Sequence, residues 1–221
     1  MNTVDSLPRV TPLGTTALLF EVPGTLEDAK QQRVWALAEQ ARQWPQVREA
    51  IPCLNNLMLV YREPPRQLEP IEQALLELWE RCEPLRVDGR LYDIPVRYGG
   101  AHGPGLAHVA SHTGLTPMDV VRVHSEQTYT VYGLGSHPGH CYLAGLDPRL
   151  ATPRRQVPLL DNPGGSVSIG GSQTSFSVSN GPTGWWAIGR TGERFFDPSR
   201  FPPALMQPGD RVRFHVLEVA E

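Results

Sequence analysis

Two domains of different class are predicted: an α+β domain over residues 1–92, followed by a turn-rich β domain, a barrel or a sandwich, over residues 93–221. Three observations predict this division. Strand-like and helix-like hydrophobic periods alternate in the first part, most of the glycine lies beyond residue 98, and all seven histidines fall in the second part. The charge balance shifts at the same point, from thirteen acids against ten bases in residues 1–92 to ten of each in residues 93–221.

In the first domain, the apolar run Ala17 to Val22 reads as a strand. Thr25 then stands as the cap of a helix whose positions Ala29, Val34, Leu37, Ala38 and Ala41 recur at helical spacing, with Trp35 and Trp44 on its flanks and Pro45 ending it. Val47 to Ile51 and Leu57 to Tyr61 read as two strands joined by the turn-forming stretch from Pro52 to Asn56. A second helix, Pro70 to Cys82, sets Ile71, Ala74, Leu75, Leu78 and Trp79 on one face. The order βαββα, followed by a strand near Leu91 to Val96, fits a small sandwich of the ferredoxin-like kind.

The second domain opens with two short helical segments, Leu106 to Ser111 and Pro117 to His124, the latter capped by Thr116. From Thr128 onward the chain alternates short β-like runs with glycine and proline turns. The runs are Tyr129 to Leu134, Ser166 to Ile169, Thr174 to Val178, Trp185 to Ile188 and Arg211 to Leu217. With 22 prolines and 21 glycines, a helix bundle is excluded.

Composition excludes several functions. The apolar set makes up 40% of the 221 residues and charged residues 19%, the balance of a folded chain. A net charge of −3 gives no basic surface for duplex phosphates, so no nucleic acid is expected as a partner. No apolar run approaches the length that spans a bilayer, and residues 1–9 lack a basic stretch followed by an apolar one, so a soluble, cytoplasmic protein without membrane association is expected. Cys53, Cys82 and Cys141 have no C-x-x-C spacing and read as reduced structural thiols. Lys30 is the only lysine and no G-x-x-x-x-G-K-[ST] is present, which excludes a self-contained P-loop ATPase.

Between Ile94 and Gly192 there are only four acids, against six arginines and six histidines, so a concavity formed there favours an anion such as a carboxylate or phosphate. Pro153-Arg154-Arg155 and Gly189-Arg190-Thr191 place arginine beside turn residues where a backbone approaches a ligand closely. Gly170-Gly171-Ser172-Gln173-Thr174 is either a cradle of backbone N–H groups for an oxyanion, with Gln173 as donor and acceptor, or a tight hairpin turn. It is not a hydrolase nucleophile elbow, because it misses the last glycine of G-x-S-x-G and β-like sequence follows it. His108 with His112, and His137 with His140, have metal-ligand spacing, but no carboxylate or cysteine completes a site and no metal is predicted. His124 is either a core histidine or a pocket base.

Together these residues resemble a known family. The series runs from Pro95 to Tyr98 with Gly99-Gly100, then Val120-Val121-x-x-His124, Tyr129-x-Val131, Gly135-Ser136-His137-Pro138-Gly139-His140-x-Tyr142-Leu143 and Thr152-Pro153-Arg154-Arg155. It continues through Gly165-Ser166-Val167, Gly170-Gly171-Ser172-Gln173-Thr174, Gly184-Trp185 and Ile188-Gly189-Arg190-Thr191. Pro12-Leu13-Gly14, Ile51-Pro52 and Asn55-Asn56 agree in the first domain. The series is similar to the B-type subunit of the bacterial ATP-dependent 5-oxoprolinase, a family that includes the sporulation kinase inhibitor and the first subunit of allophanate hydrolase.

The resemblance implies a ferredoxin-like N-terminal domain and a cyclophilin-like β-barrel C-terminal domain. It implies a non-autonomous subunit, inactive alone, which with A-like and C-like partner proteins opens 5-oxoproline to L-glutamate with hydrolysis of ATP, the nucleotide being bound in the assembled complex. Such chemistry calls for arginine and amide donors that hold a carboxylate and developing negative charge. By motif position, catalytic roles fall to His124, Arg154, Gln173 and Arg190, and substrate contacts to Arg155, Thr191 and Trp185. Family members usually read Gly-Phe-x-Pro-Gly-Phe where this chain has Ser136 and His140, so His140 joins the substrate-binding set as a titrating group in a wetter cavity. Gly105 stands where Asp is common, and Thr183 where a second glycine is common. The same family offers two alternatives, a histidine-kinase regulator and part of an allophanate-type or urea-derivative amidohydrolase.

Overall fold

The first hairpin in the computed structural model, which describes residues 7–220, is one that hydrophobic alternation hides. Strand β1 (Arg9–Leu13) pairs antiparallel with β2 (Ala17–Glu21) through a turn at Gly14, whose φ of +65° suits glycine. Four of the five β1 side chains are exposed and Pro12 interrupts its donors, features that only an edge strand tolerates. Helix α1 (Asp28–Ala41), the hairpin β3 (Val47–Cys53) and β4 (Asn56–Tyr61), and helix α2 (Glu69–Arg81) follow. The sheet order is β1-β2-β4-β3.

Three expectations for this first unit, which ends at Val87, are corrected. Thr25 does not cap α1: its hydroxyl donates to Glu27 Oε1 at 2.7 Å, and Glu27 holds the cap position without a side-chain bond to the helix. The strand expected near Leu91 to Val96 does not complete this sheet, because β1 already takes up the free edge of β2. Ala29, in the first turn of α1, is exposed rather than part of the helix's buried face; the core otherwise follows the periodicity, with Leu18, Phe20, Leu57, Leu59 and Tyr61 of the sheet facing Val34, Leu37, Ala38, Leu75 and Trp79 of the helices. Arg33 ties the helices together by donating to the carbonyls of Trp79 and Cys82 at the end of α2, with its guanidinium over the Trp79 ring.

The second unit starts at Asp88. It comprises β5 (Leu91–Gly99), α3 (Leu106–Thr113), α4 (Pro117–Glu126), β6 (Tyr129–Leu134), β7 (Cys141–Ala144), β8 (Leu159–Asn162), β9 (Ser166–Gly170), β10 (Gln173–Phe176), β11 (Gly181–Thr183), β12 (Trp186–Arg190) and β13 (Arg211–Ala220). Seven strands close into a barrel in the order β10-β7-β6-β13-β5-β12-β9, while β8 and β11 pair with each other outside it. The strand beginning at Leu91 is thus a barrel strand, paired in parallel with β13 from Arg211 onward. Thr116 caps α4 as expected, its hydroxyl accepting from the Asp119 amide at 3.1 Å.

Alternation along the barrel strands decides what faces the lumen. Val167 and Ile169 of β9, Phe176 of β10, Cys141 and Leu143 of β7 and Phe214 of β13 belong to one buried apolar cluster with Val120, Val121 and Val123 of α4. Burial pushes the Cys141 thiol up to about 12, which makes it an inert core group. Among the described residues, no helix is long and apolar enough to cross a membrane.

Candidate functional site

A cleft of about 260 Å³ lies on the outer side of β7, β10 and β9. Its floor follows from the alternation just described. With Val167 and Ile169 turned inward, Ser168 faces out. Ser175, its cross-strand partner on β10, does the same. Tyr142 faces out between Cys141 and Leu143, and His140, two residues earlier, lies against it edge-to-face with centroids 5.1 Å apart. The β8–β11 pair and the segment leading to it supply the wall opposite, through Asn162, Ser177, Asn180, Thr183, Trp185 and Arg154.

Trp185 rests on Gly170, where an added Cβ would meet the indole at 2.6 Å, so the glycine creates room for the wall. Arg154 lies beside the same ring, its guanidinium carbon 5.5 Å from the centroid. Among the described residues, Arg154 is the one arginine that lines the cleft, and no carboxylate lines it. Hydroxyl and amide groups fill much of the remaining surface. Ser175 Oγ donates to the Cys141 carbonyl at 2.6 Å and Asn162 Nδ2 to Ser177 Oγ at 2.8 Å. Ser168 Oγ and Asn162 Oδ1, both buried, have no hydrogen-bond partner among the described residues. The arrangement suits a small anion that also carries hydrogen-bonding groups.

His140, Arg154 and Trp185 of the anticipated set therefore meet in one cleft, and five others lie elsewhere for identifiable reasons. His124 is completely buried in the barrel lumen, stacked on Phe214 with centroids 4.7 Å apart. Its Nδ1 lies 2.9 Å from Tyr98 Oη and its Nε2 2.9 Å from Thr174 Oγ1. The Thr174 hydroxyl donates onward to the Ser168 carbonyl at 3.1 Å, so Thr174 must accept from His124 Nε2–H and Tyr98 must donate to Nδ1. Both ring nitrogens of a neutral imidazole are satisfied, and burial holds its pKa down at about 3. Because Thr174 faces inward and Ser175 outward, the strand itself separates His124 from the cleft.

Gln173 begins β10 opposite Gly170 and does not line the cleft; its Nε2 is buried without a partner among the described residues. The oxyanion cradle considered for Gly170-Gly171 is replaced by pairing, since the Gly171 N–H donates to the Thr152 carbonyl at 2.6 Å and Gly171 turns the hairpin at φ +64°. The Arg155 amide donates to the Gly184 carbonyl at 2.7 Å, and its guanidinium lies 4.3 Å over Trp186, whose other neighbour is the His108 ring at 3.5 Å. Arg190 is exposed and donates to the Gly164 carbonyl at 3.2 Å. Thr191 is buried just past the end of β12, and its hydroxyl accepts from the Glu193 amide at 3.2 Å.

Ser168, Ser175 and Asn162 are lining residues that motif reading misses, and Tyr142 stands in the motif series without a role assigned to it. For Ser168 the signal is present in the alternation of Ser-Val-Ser-Ile, where the apolar residues claim the lumen and leave the hydroxyl outside; Ser175, next to the inward-facing but polar Thr174, carries no such signal.

Residues 8–206 match the model of the carboxyltransferase domain, subdomain C and D. The chain is 45% identical over 202 residues to the B-type subunit of the 5-oxoprolinase of Escherichia coli O157:H7, a match covering 91% of this chain and 93% of that one. Among solved structures, TTHA0988 is similar at 34% identity with a TM-score of 0.75 over 93% of this chain, which spans only 40% of the TTHA0988 chain. The K. lactis urea amidolyase, at 17% identity and a TM-score of 0.82, shares the fold over 98% of this chain and 15% of its own.

Proposed function

The chain belongs to the family of 5-oxoprolinase B-type subunits, and from that premise we propose that it is one component of an ATP-dependent enzyme that opens 5-oxoproline to L-glutamate, with the cleft over β9 and β10 as the place where the lactam is held. The observation that carries this reading is the lining, which among the described residues has one guanidinium, no carboxylate, and a surface of hydroxyl and amide groups. Arg154 pairs with the carboxylate of the ring acid, as its fork of donors matches two oxygens. Trp185 gives the ring an apolar wall, and the serine and asparagine groups around it offer donors to the ring carbonyl. In this reading the second domain is the cyclophilin-like barrel of the family and the first its ferredoxin-like companion, the last strand of the latter replaced by β1.

The cleft does not suit a nucleoside triphosphate. Among the described residues a single arginine would face several phosphate charges, and no lining carboxylate would hold a divalent cation. ATP is accordingly assigned to another part of the assembly, and this chain's contribution is to bind and orient the lactam. It then needs A-like and C-like partner proteins and acts in the cytoplasm.

The test is reconstitution. Mixed with its A-type and C-type counterparts, the chain releases glutamate from 5-oxoproline only when ATP is present, and Arg154→Ala lowers kcat/KM about 10- to 100-fold. A stably assembled complex that turns over no 5-oxoproline overturns the reading.

A further inference from the structure

We propose that His140 is the hydrogen-bond acceptor for the ring N–H of the ligand, so that the cleft selects a cyclic amide over the corresponding cyclic ester. The proposal rests on the reading of the cleft as a lactam site and goes beyond it, since it assigns the group that recognises the nitrogen.

The Phe176 carbonyl sets the tautomer. His140 Nδ1 lies 3.0 Å from that oxygen, which can only accept, so Nδ1 carries the proton and donates. In the neutral ring Nε2 is then a lone pair, on the side of the imidazole away from that anchor. It has no hydrogen-bond partner among the described residues, and His140 lines the cleft. Tyr142 packs edge-to-face on the ring at 88°, so orientation is fixed from two directions.

A ring N–H brought into this cleft must find an acceptor; the hydroxyls of Tyr142, Ser177 and Thr183 also line it but can turn to donate or to accept, whereas Nε2 only accepts and so tells N–H from oxygen. Arg154 offers donors only. Asn162 Oδ1 and Ser168 Oγ are recessed in the floor, and the Asn162 amide is already tied to Ser177. His140 is half-buried, lines the cleft and is anchored at Nδ1. Desolvation is the larger influence on its pKa and, together with the nearby His137, lowers it against the opposing pull of the Phe176 carbonyl. The lone pair therefore persists at neutral pH. Replacing the ring N–H of the ligand by oxygen sets a lone pair against a lone pair, a loss that a site built to receive a donor does not tolerate.

The experiment titrates the full chain, with its imidazoles labelled with ¹⁵N, with 5-oxoproline and separately with the lactone 5-oxotetrahydrofuran-2-carboxylate, following Kd and the His140 Nε2 resonance. The expected result is about tenfold tighter binding of the lactam, with a shift of Nε2 in the lactam complex alone. In His140→Phe the preference falls below about twofold, and in His140→Gln, whose side-chain oxygen also accepts, part of it returns. Equal affinity for the two ligands in the native chain, which needs no variant, overturns the proposal and leaves the lactam site standing. So does an unchanged preference in a folded His140→Phe chain. Failure of both ligands to bind overturns the lactam site itself, and the assignment of His140 with it.

Discussion

On the inner face of β10, Thr174 closes a hydrogen-bond chain that runs from Tyr98 through His124 to the Ser168 carbonyl, whereas on the outer face Ser175 and Ser168 border a cleft in which polar atoms go unpaired. The two faces lie on either side of the β9–β10 hairpin, share residue types and are both mostly buried. Their difference is satisfaction. In the lumen every donor of this chain meets an acceptor, and the result is a rigid pin between β10 and the opposite wall formed by β5 and β13. Outside, Ser168 Oγ and Asn162 Oδ1 are left over together with the free nitrogen of His140, as expected of a surface completed by something other than the protein. Buried polarity therefore locates a binding site only where the hydrogen-bond inventory fails to close beside a cavity; Gln173 Nε2, unpaired but away from the cleft, marks none.

The contrast is broken most severely from the inside. His124→Ala removes a stacked ring from against Phe214, strands the hydroxyl of Tyr98 in the lumen and takes from Thr174 the donor its oxygen accepted from. We expect it to destabilise the barrel by about 3–5 kcal/mol, read by native-state hydrogen exchange of β10 and β13 amides. A loss below about 1 kcal/mol, with activity abolished, would return His124 to the catalytic set.

Acid tests the same pin with no mutation. The folded ring titrates at about 3 and an unfolded histidine near 6.5, so below about pH 6.5 the unfolded chain takes up a proton that the folded chain refuses. The contribution is constant above that pH. It is lost progressively on acidification, by about 1.4 kcal/mol per pH unit, until the folded pKa is reached. Urea unfolding of the barrel at pH 7, 5.5 and 4 reads this slope. In His124→Gln, which does not titrate, the curve should flatten by about one proton over the interval. An unchanged slope would mean that His124 is protonated in the fold and that the tautomer assigned to it is wrong.

Much of this contrast is legible in the sequence, and what is not has physical reasons. The position of His124 on a helix capped at Thr116 follows from the spacing of Val120, Val121 and Val123, but whether that face meets a lumen or a pocket depends on partners 26 and 50 residues away. Strands β7, β8 and β11 are three or four residues long, and β8 exposes Leu159 and Leu160, so no alternation announces them. Arginine at a turn is a sound guide as a class, yet only Arg154 reaches the cleft, because the neighbouring Arg155 stacks on Trp186 and Arg190 runs back to Gly164. The motif series carries the family and the barrel. Which face of each strand serves the cleft is a matter of pairing.

The mildest perturbation sharpens the contrast furthest. Ser168→Ala removes a buried hydroxyl that has no partner to lose, so thermal unfolding of the barrel should change by less than about 0.5 kcal/mol or shift slightly toward stability. The same hydroxyl, recessed below the position given to the ring N–H, is met by the carbonyl of a ligand seated on the floor, so a several-fold rise in the Kd for 5-oxoproline is expected in a chain whose stability has not fallen. Thr174→Ala, one register step away on the partner strand and facing the lumen, should show the opposite pairing of effects, since it strands His124 Nε2–H and leaves the cleft surface untouched. A Ser168→Ala chain that is destabilised as strongly as Thr174→Ala would mean that both faces of the hairpin are structural, and the unpaired atoms would lose their standing as the mark of a site.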